Sequence, residues 1–317
     1  MRPFRALAVF VGLAVAGCAG TNATPAPSLA NQASQSVAGG AGSTVLIRVK
    51  HDKASYKRAL YVLNSASNEV QILSNTYYRQ LGTITDGISN PQAETVDSRG
   101  NLYVTNQTSS YGDVAEYATG ATSPSFTYSA TAPLGVAVDR HGNVFAVTGY
   151  PSYTVNQYRQ GVDRVVASCQ MNRPKAVAVD ANGNVFVEAI TDSGITFFEF
   201  VGGLGTCSPT LLLGIGYNYS TFGLSLDANG DLIAPYGPNV YVIDPPYSTI
   251  TKTIGSGFSN VTGVSLNKKN KFLFVSDSGT NTVTVIDYQT GATVKQLGVP
   301  YGITQASGVV DAPNAVY

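Results

Sequence analysis

Three stretches decide the fold: Ala93-Glu-Thr-Val-Asp-Ser-Arg-Gly-Asn-Leu-Tyr-Val104, Gly135-Val-Ala-Val-Asp-Arg-His-Gly-Asn-Val-Phe-Ala146 and Ala176-Val-Ala-Val-Asp-Ala-Asn-Gly-Asn-Val-Phe-Val187. Each is a short apolar run, an aspartate, a glycine flanked by polar residues, and a second apolar run. Weaker copies follow as Gly223-Leu-Ser-Leu-Asp-Ala-Asn-Gly-Asp-Leu-Ile-Ala234 and Gly263-Val-Ser-Leu-Asn-Lys-Lys-Asn-Lys-Phe-Leu-Phe274, and half a copy as Gly308-Val-Val-Asp311. Asp97, Asp139, Asp180, Asp227, Asn267 and Asp311 therefore recur at intervals of 40 to 47 residues. A recurrence of that length sets the architecture before any single residue does.

Within one unit the pattern is a hairpin: a β-branched strand, an Asp able to accept from the turn backbone, a Gly or Asn able to take positive φ, then an apolar strand. Two more strands follow, read in the last full unit as Thr282-Val-Thr-Val-Ile-Asp287 and Thr293-Val-Lys-Gln-Leu297, with Gln289-Thr-Gly291 between them. Four antiparallel strands per unit, repeated six times without helical periodicity, predict an all-β chain folded as a β-propeller. Tyr61, Tyr103, Phe145, Phe186, Ile233 and Phe274 mark six second strands. Gly308 to Asp311 then supplies the inner strand of the first blade and closes the ring at six. The alternative is seven, with Thr44-Val-Leu-Ile-Arg-Val-Lys50 and Asn314 to Tyr317 forming an incomplete extra blade.

Tyr103-Val-Thr-Asn106 and Phe274-Val-Ser-Asp-Ser-Gly-Thr-Asn-Thr-Val-Thr-Val-Ile-Asp287 resemble the repeats of bacterial NHL-type and YVTN-type propellers. The resemblance implies the architecture and leaves activity to whatever residues surround the axis.

The N-terminus reads as an address. Met1-Arg-Pro-Phe-Arg5 is positively charged and Ala6 to Gly17 is apolar but too short to span a bilayer, as in a signal peptide. The run ends Val15-Ala-Gly-Cys18, which resembles a bacterial lipobox and makes Cys18 the expected lipidation point of a signal segment spanning 1–18. Ala19 is not the aspartate that favours inner-membrane retention, so the expectation is an extracytoplasmic protein, lipid-anchored to the bacterial envelope, at the outer membrane if that envelope is Gram-negative. Residues 19–43, made almost wholly of small and polar side chains, are expected to be a flexible tether, and 44–317 the propeller.

Composition narrows the partners. The 317 residues carry 19 cationic and 19 acidic side chains, a net charge of zero, so no overall basic field exists to hold a nucleic acid. Two histidines and no Gly-x-Ser-x-Gly, Cys-x-x-Cys, phosphate-loop or His-Glu-x-x-His pattern argue against the common catalytic designs.

Individual residues sharpen this. The Asp-x-x-Gly-Asn turns lack the length and terminal glutamate of an EF-hand and read as Asx turns. Glu94 interrupts a column otherwise filled by Val136, Val177, Leu224 and Val264; it either faces the channel or reaches solvent or an arginine. Asn64, Asn106, Thr148, Ala189, Tyr236 and Asp277 end the second strands on one side of the ring, where they can border the channel mouth or bond local backbone. Once Cys18 is assigned to lipid, Cys169 and Cys207 remain as a candidate disulfide near the outer strands of adjacent blades.

The favoured reading is a non-enzymatic binding or scaffold module that needs no cofactor, its rim (Asn106, Tyr150, Tyr236, Asp277) meeting a protein, peptide or carbohydrate. The alternative is a lactonase-like hydrolase with a divalent cation in the axial channel on Glu94, Asn64, Asn106 and Asp277.

Overall fold

The computed structural model describes residues 58–108, 111–216, 221–255 and 257–313. Cys18, the signal segment, the tether and the strand expected at Thr44–Lys50 lie outside those residues. Within them the chain forms six four-stranded antiparallel sheets set as the blades of a propeller. The second strands fall where the repeat puts them, from Ala59–Asn64 in blade 1 to Phe272–Asp277 in blade 6.

Closure also follows the repeat. The C-terminal strand Ala306–Ala312 pairs antiparallel with Ala59–Asn64, giving blade 1 its inner strand from the far end of the chain. The inner strands of blades 2, 3, 4 and 6 are Pro91–Val96, Pro133–Val138, Pro174–Val179 and Val261–Leu266; that of blade 5 is only Ser225–Leu226. The register corrects one point. Asp311 pairs with Leu60 inside the strand, where the corresponding residues of blades 2 and 3 are Val96 and Val138, so it is not the sixth turn aspartate. The half copy has one residue fewer between its glycine and its aspartate than Gly135 to Asp139 has, and the strand runs straight through Asp311.

The remaining aspartates do hold the turns. Asp139 Oδ1 accepts from the backbone N–H groups of His141 and Asn143, both at 2.8 Å, and Asp97, Asp180 and Asp227 repeat this pattern. Gly142 in that turn has φ +83°, a conformation costly for any side chain. Because strands alternate in direction, these turns, and those joining third to outer strands, lie on one side of the ring, here the Asp-turn face. The turns from second to third strands and the loops between blades lie on the other, here the opposite face.

Six apolar clusters fill the interfaces between neighbouring blades, for instance Tyr61 and Ile72 of blade 1 with Val104 and Tyr117 of blade 2. Burying each such large side chain contributes about 1.5–3 kcal/mol, so the ring is held by its interfaces more than by any one sheet. Tyr128 stands between Tyr103 and Tyr158 at the interface of blades 2 and 3, its ring edge-on to Tyr158 at 5.6 Å. Its hydroxyl donates to Glu116 Oε2 at 2.8 Å, which removes the cost of burying that oxygen.

Candidate functional site

A propeller's inner strands surround an axial cavity, and here it measures about 220 Å³. Two rings of side chains shape it. In the first, Ala93, Gly135, Ala176, Gly223, Gly263 and Gly308 are all small because adjacent inner strands nearly touch; a Cβ on Gly223 would lie 2.7 Å from Gly263 Cα. One residue further along, Val136, Val177, Leu224, Val264 and Val309 turn away from the axis towards the blade interfaces, with Glu94 as the sixth member.

Glu94 therefore occupies a valine's place. Glu94 borders the cavity, but both carboxylate oxygens are shut off from solvent and have no hydrogen-bond partner among the described residues. The carboxyl group lies over Gly308 of the C-terminal strand, and a Cβ there would come within 2.8 Å of Glu94 Cδ. Desolvation pushes its pKa well above the ordinary value of 4.5, which favours the neutral acid. Neither solvent nor an arginine meets it, as a strand-end glutamate would require.

A second buried carboxyl, Glu188, escaped the sequence reading. It sits in the second strand of blade 4, opposite Ala176, one residue before the column of strand-end positions. Both its oxygens accept from Thr221 Oγ1 at 2.8 Å, across to the segment leading into blade 5. Burial pushes its pKa up to about 8, against the lowering effect of Thr221 and of nearby Lys175. Lys175 itself is shifted down, chiefly by its own burial, and rests over the Phe222 ring at 5.7 Å. Both partners thus lean towards neutrality. The available signal was the string Asn184-Val-Phe-Val-Glu188, whose other residues follow the repeat; the corresponding positions Thr105, Val147, Pro235, Ser276 and Leu63 show no common chemistry.

In the strand-end column, Asn64, Asn106, Thr148 and Asp277 bond local backbone, while Ala189 has no polar side chain. Asn64 donates to Gly302 O at 2.8 Å and accepts from Thr304 N at 3.1 Å. Asn106 donates to Gly87 O at 2.7 Å and to Asp113 Oδ1 at 2.8 Å, and accepts from Ser89 N at 3.0 Å. Asp277 accepts from the N–H groups of Ser259, Asn260 and Gly279, all at 2.9 Å. Burial alone would raise its pKa, but these bonds outweigh it and hold the group ionised. Asn64, Asn106 and Asp277 each tie the loop between blades to a strand end. Of the four side chains in the cation set, the structure puts only Glu94 beside the channel.

Tyr236 stacks on Tyr241 with ring centroids 5.3 Å apart. Tyr150 is 73% exposed on the opposite face, with Tyr153 edge-on to it at 6.1 Å, and Tyr111 of blade 2 is 81% exposed on the same face. Cys169, on the outer strand of blade 3, and Cys207, in the loop before the outer strand of blade 4, form a disulfide with Cα atoms 5.3 Å apart.

No family description matches the chain, and no curated protein matches it. Solved structures do. A chain of a nidogen/laminin complex is similar over 80% of this chain and 98% of its own, at 15% identity and a TM-score of 0.62. A protein of unknown function from Bacteroides caccae covers 81% and 99% at 12% identity and 0.64, and hydrazine synthase of Kuenenia stuttgartiensis covers 86% and 94% at 14% identity and 0.57. At such identities the likeness shows the fold alone.

Proposed function

We propose that the chain is a non-enzymatic binding propeller of the bacterial envelope, related to the NHL and YVTN types, anchored by lipid on Cys18 and presenting its opposite face to a protein or peptide partner. The observation that carries this reading is the exposure of Tyr111 and Tyr150 on adjacent blades of that face. Tyrosine supplies large amphipathic contact area at little conformational cost. The described chain begins at Arg58, ahead of the second strand of blade 1, on the Asp-turn face, the side of the ring opposite the two tyrosines. The presence of a similar propeller in a nidogen/laminin complex agrees with a protein-binding role.

The test is cross-linking in cells of the source organism with the full chain and a Tyr111→Ser/Tyr150→Ser variant, alongside mass analysis of Cys18. The reading expects a specific cross-linked partner that the double variant loses while its melting temperature holds. Capture unchanged by the double variant would refute the rim, and an unmodified Cys18 would refute the anchor. Glycan binding lost in the same variant would replace the protein partner with a carbohydrate.

The unpartnered carboxyl of Glu94 favours a second reading, a hydrolase with a divalent cation in the channel. Its remaining ligands would have to be inner-strand carbonyls and hydroxyls such as Thr95 and Ser265, because Asn64, Asn106 and Asp277 are bonded elsewhere. That donor set fits a doubly charged ion poorly, since one carboxylate neutralises half its charge. Stoichiometric metal in the purified protein, lost in Glu94→Gln, would nevertheless establish it.

A further inference from the structure

A net charge of zero conceals a segregation that only the fold makes visible. The repeat brings residues far apart in sequence to one side of the ring: Arg58 before the second strand of blade 1, Arg99 and Arg140 in the Asp turns of blades 2 and 3, and Lys268, Lys269 and Lys271 in the turn of blade 6. All six are exposed. These blades are consecutive around the axis, and Arg79, Arg159 and Arg164, also exposed, continue the patch towards the rim. Among the described residues of these turns, Asp163 is the one exposed acid; Asp139 and Asp287 are half-buried, and Asp97 is buried and bridged to Arg99 at 3.0 Å. The acids collect elsewhere on the face. Asp180, Asp227, Asp231 and Asp244 belong to blades 4 and 5, and Asp231 is shifted up by burial and by its neighbours Asp227 and Asp244.

We infer that the basic sector of the Asp-turn face is a docking surface for an anionic phospholipid bilayer, setting the propeller's orientation on the membrane. This rests on the anchored reading above, because what selects a membrane as the occupant is the position of Arg58. The chain that leads from Cys18 joins the described residues at Arg58, in this sector, so a lipid on that cysteine links this face to the membrane. Attraction between a basic patch and anionic lipid is effective only within about 8–10 Å of the surface at physiological salt, and a lipid-linked tether raises the local concentration of the patch near that surface. Between the turns of blades 2 and 3 a recess of about 170 Å³ is lined by Arg99, Arg140 and His141 together with Asp97 and Asp139, so the two arginines meet headgroups at its rim with part of their charge offset locally.

The experiment uses the full chain carrying Cys18→Ala, so that the surface is measured without the lipid, and vesicles of phosphatidylcholine with or without phosphatidylglycerol. Stronger sedimentation with the anionic vesicles, weakening as salt rises, is expected. Lys268→Glu/Lys269→Glu/Lys271→Glu in that background should lower partitioning by about tenfold or more, and Arg140→Glu by a smaller factor, while Arg173→Glu on the opposite face leaves it unchanged. Equal sedimentation with neutral vesicles, or an equal loss from Arg173→Glu, overturns the proposal. Failure of the anchor reads out separately, as absence of a lipid adduct on the wild-type Cys18.

Discussion

The seam between blades 1 and 2 and the interface of blades 4 and 5 each bury a glutamate, and they deal with it in opposite ways. At the seam, where the C-terminal strand completes the ring, Glu94 lies over Gly308 without a hydrogen bond. Across the ring, Glu188 is met by Thr221 and sits near Lys175, and blade 4 is further stapled to blade 3 by a disulfide. One region carries a polar group as a defect, whereas the other builds a partner around it. Partners moderate desolvation without cancelling it, since Glu188 still titrates near 8.

The consequence for stability has a definite sign. Both folded pKa values lie above the ordinary 4.5, so the folded state binds the proton more tightly than the unfolded chain. The contribution is complete below about pH 4.5 and is lost as pH rises through the folded value, about 8 for Glu188 and well above 4.5 for Glu94. Neutral to alkaline solution is where the two regions should part company.

Four perturbations sharpen the contrast. Removing the staple with Cys169→Ser/Cys207→Ser releases a loop of 38 residues, and the chain-entropy argument expects a loss of about 3–4 kcal/mol in denaturant unfolding. A loss under about 1 kcal/mol would mean that the stapled side owes its stability to packing alone. Gly308→Ala pushes a methyl into the carboxyl of Glu94 and should cost about 2–3 kcal/mol, most of it recovered when Glu94→Ala is added. Additive losses would show that the two groups do not touch. Glu94→Val restores the valine column and should stabilise the ring by about 1–3 kcal/mol at about pH 8 while flattening the pH dependence of unfolding. Thr221→Val, the smallest, should cost about 1 kcal/mol and move the titration of Glu188 upward, because the lost hydrogen bond favours the ionised form.

The division between what the sequence reveals and what it hides follows physical lines. Blade number, second strands and Asp turns were legible because each depends on local rules: alternation of side chains, positive φ at Gly142, and an aspartate bonding its own turn. Glu94 was legible as an intruder because the other five positions in its column are aliphatic. Whether it met solvent, an arginine or Gly308 depended on the neighbouring blade, contributed from more than two hundred residues away. Asn64, Asn106 and Asp277 were placed at the correct strand ends, but the loops that occupy their hydrogen bonds enter from the preceding blade. Glu188 was hidden by an otherwise regular strand, and Asp311 was misplaced by a one-residue difference that only pairing with Leu60 exposes. The basic sector was invisible for the same reason: along the whole chain its charges are offset by an equal number of acids, and they gather only when the ring closes.

The central claim is that ring closure buries the Glu94 carboxyl uncharged against the C-terminal strand. Carbon-13 labelling of the glutamate carboxyls, with Glu94→Gln to assign the signal, measures this directly. The account predicts a resonance that stays at the protonated position well past the ordinary 4.5. A titration midpoint near 4.5 would place the carboxylate in water or beside a cation, and the seam as described would be wrong.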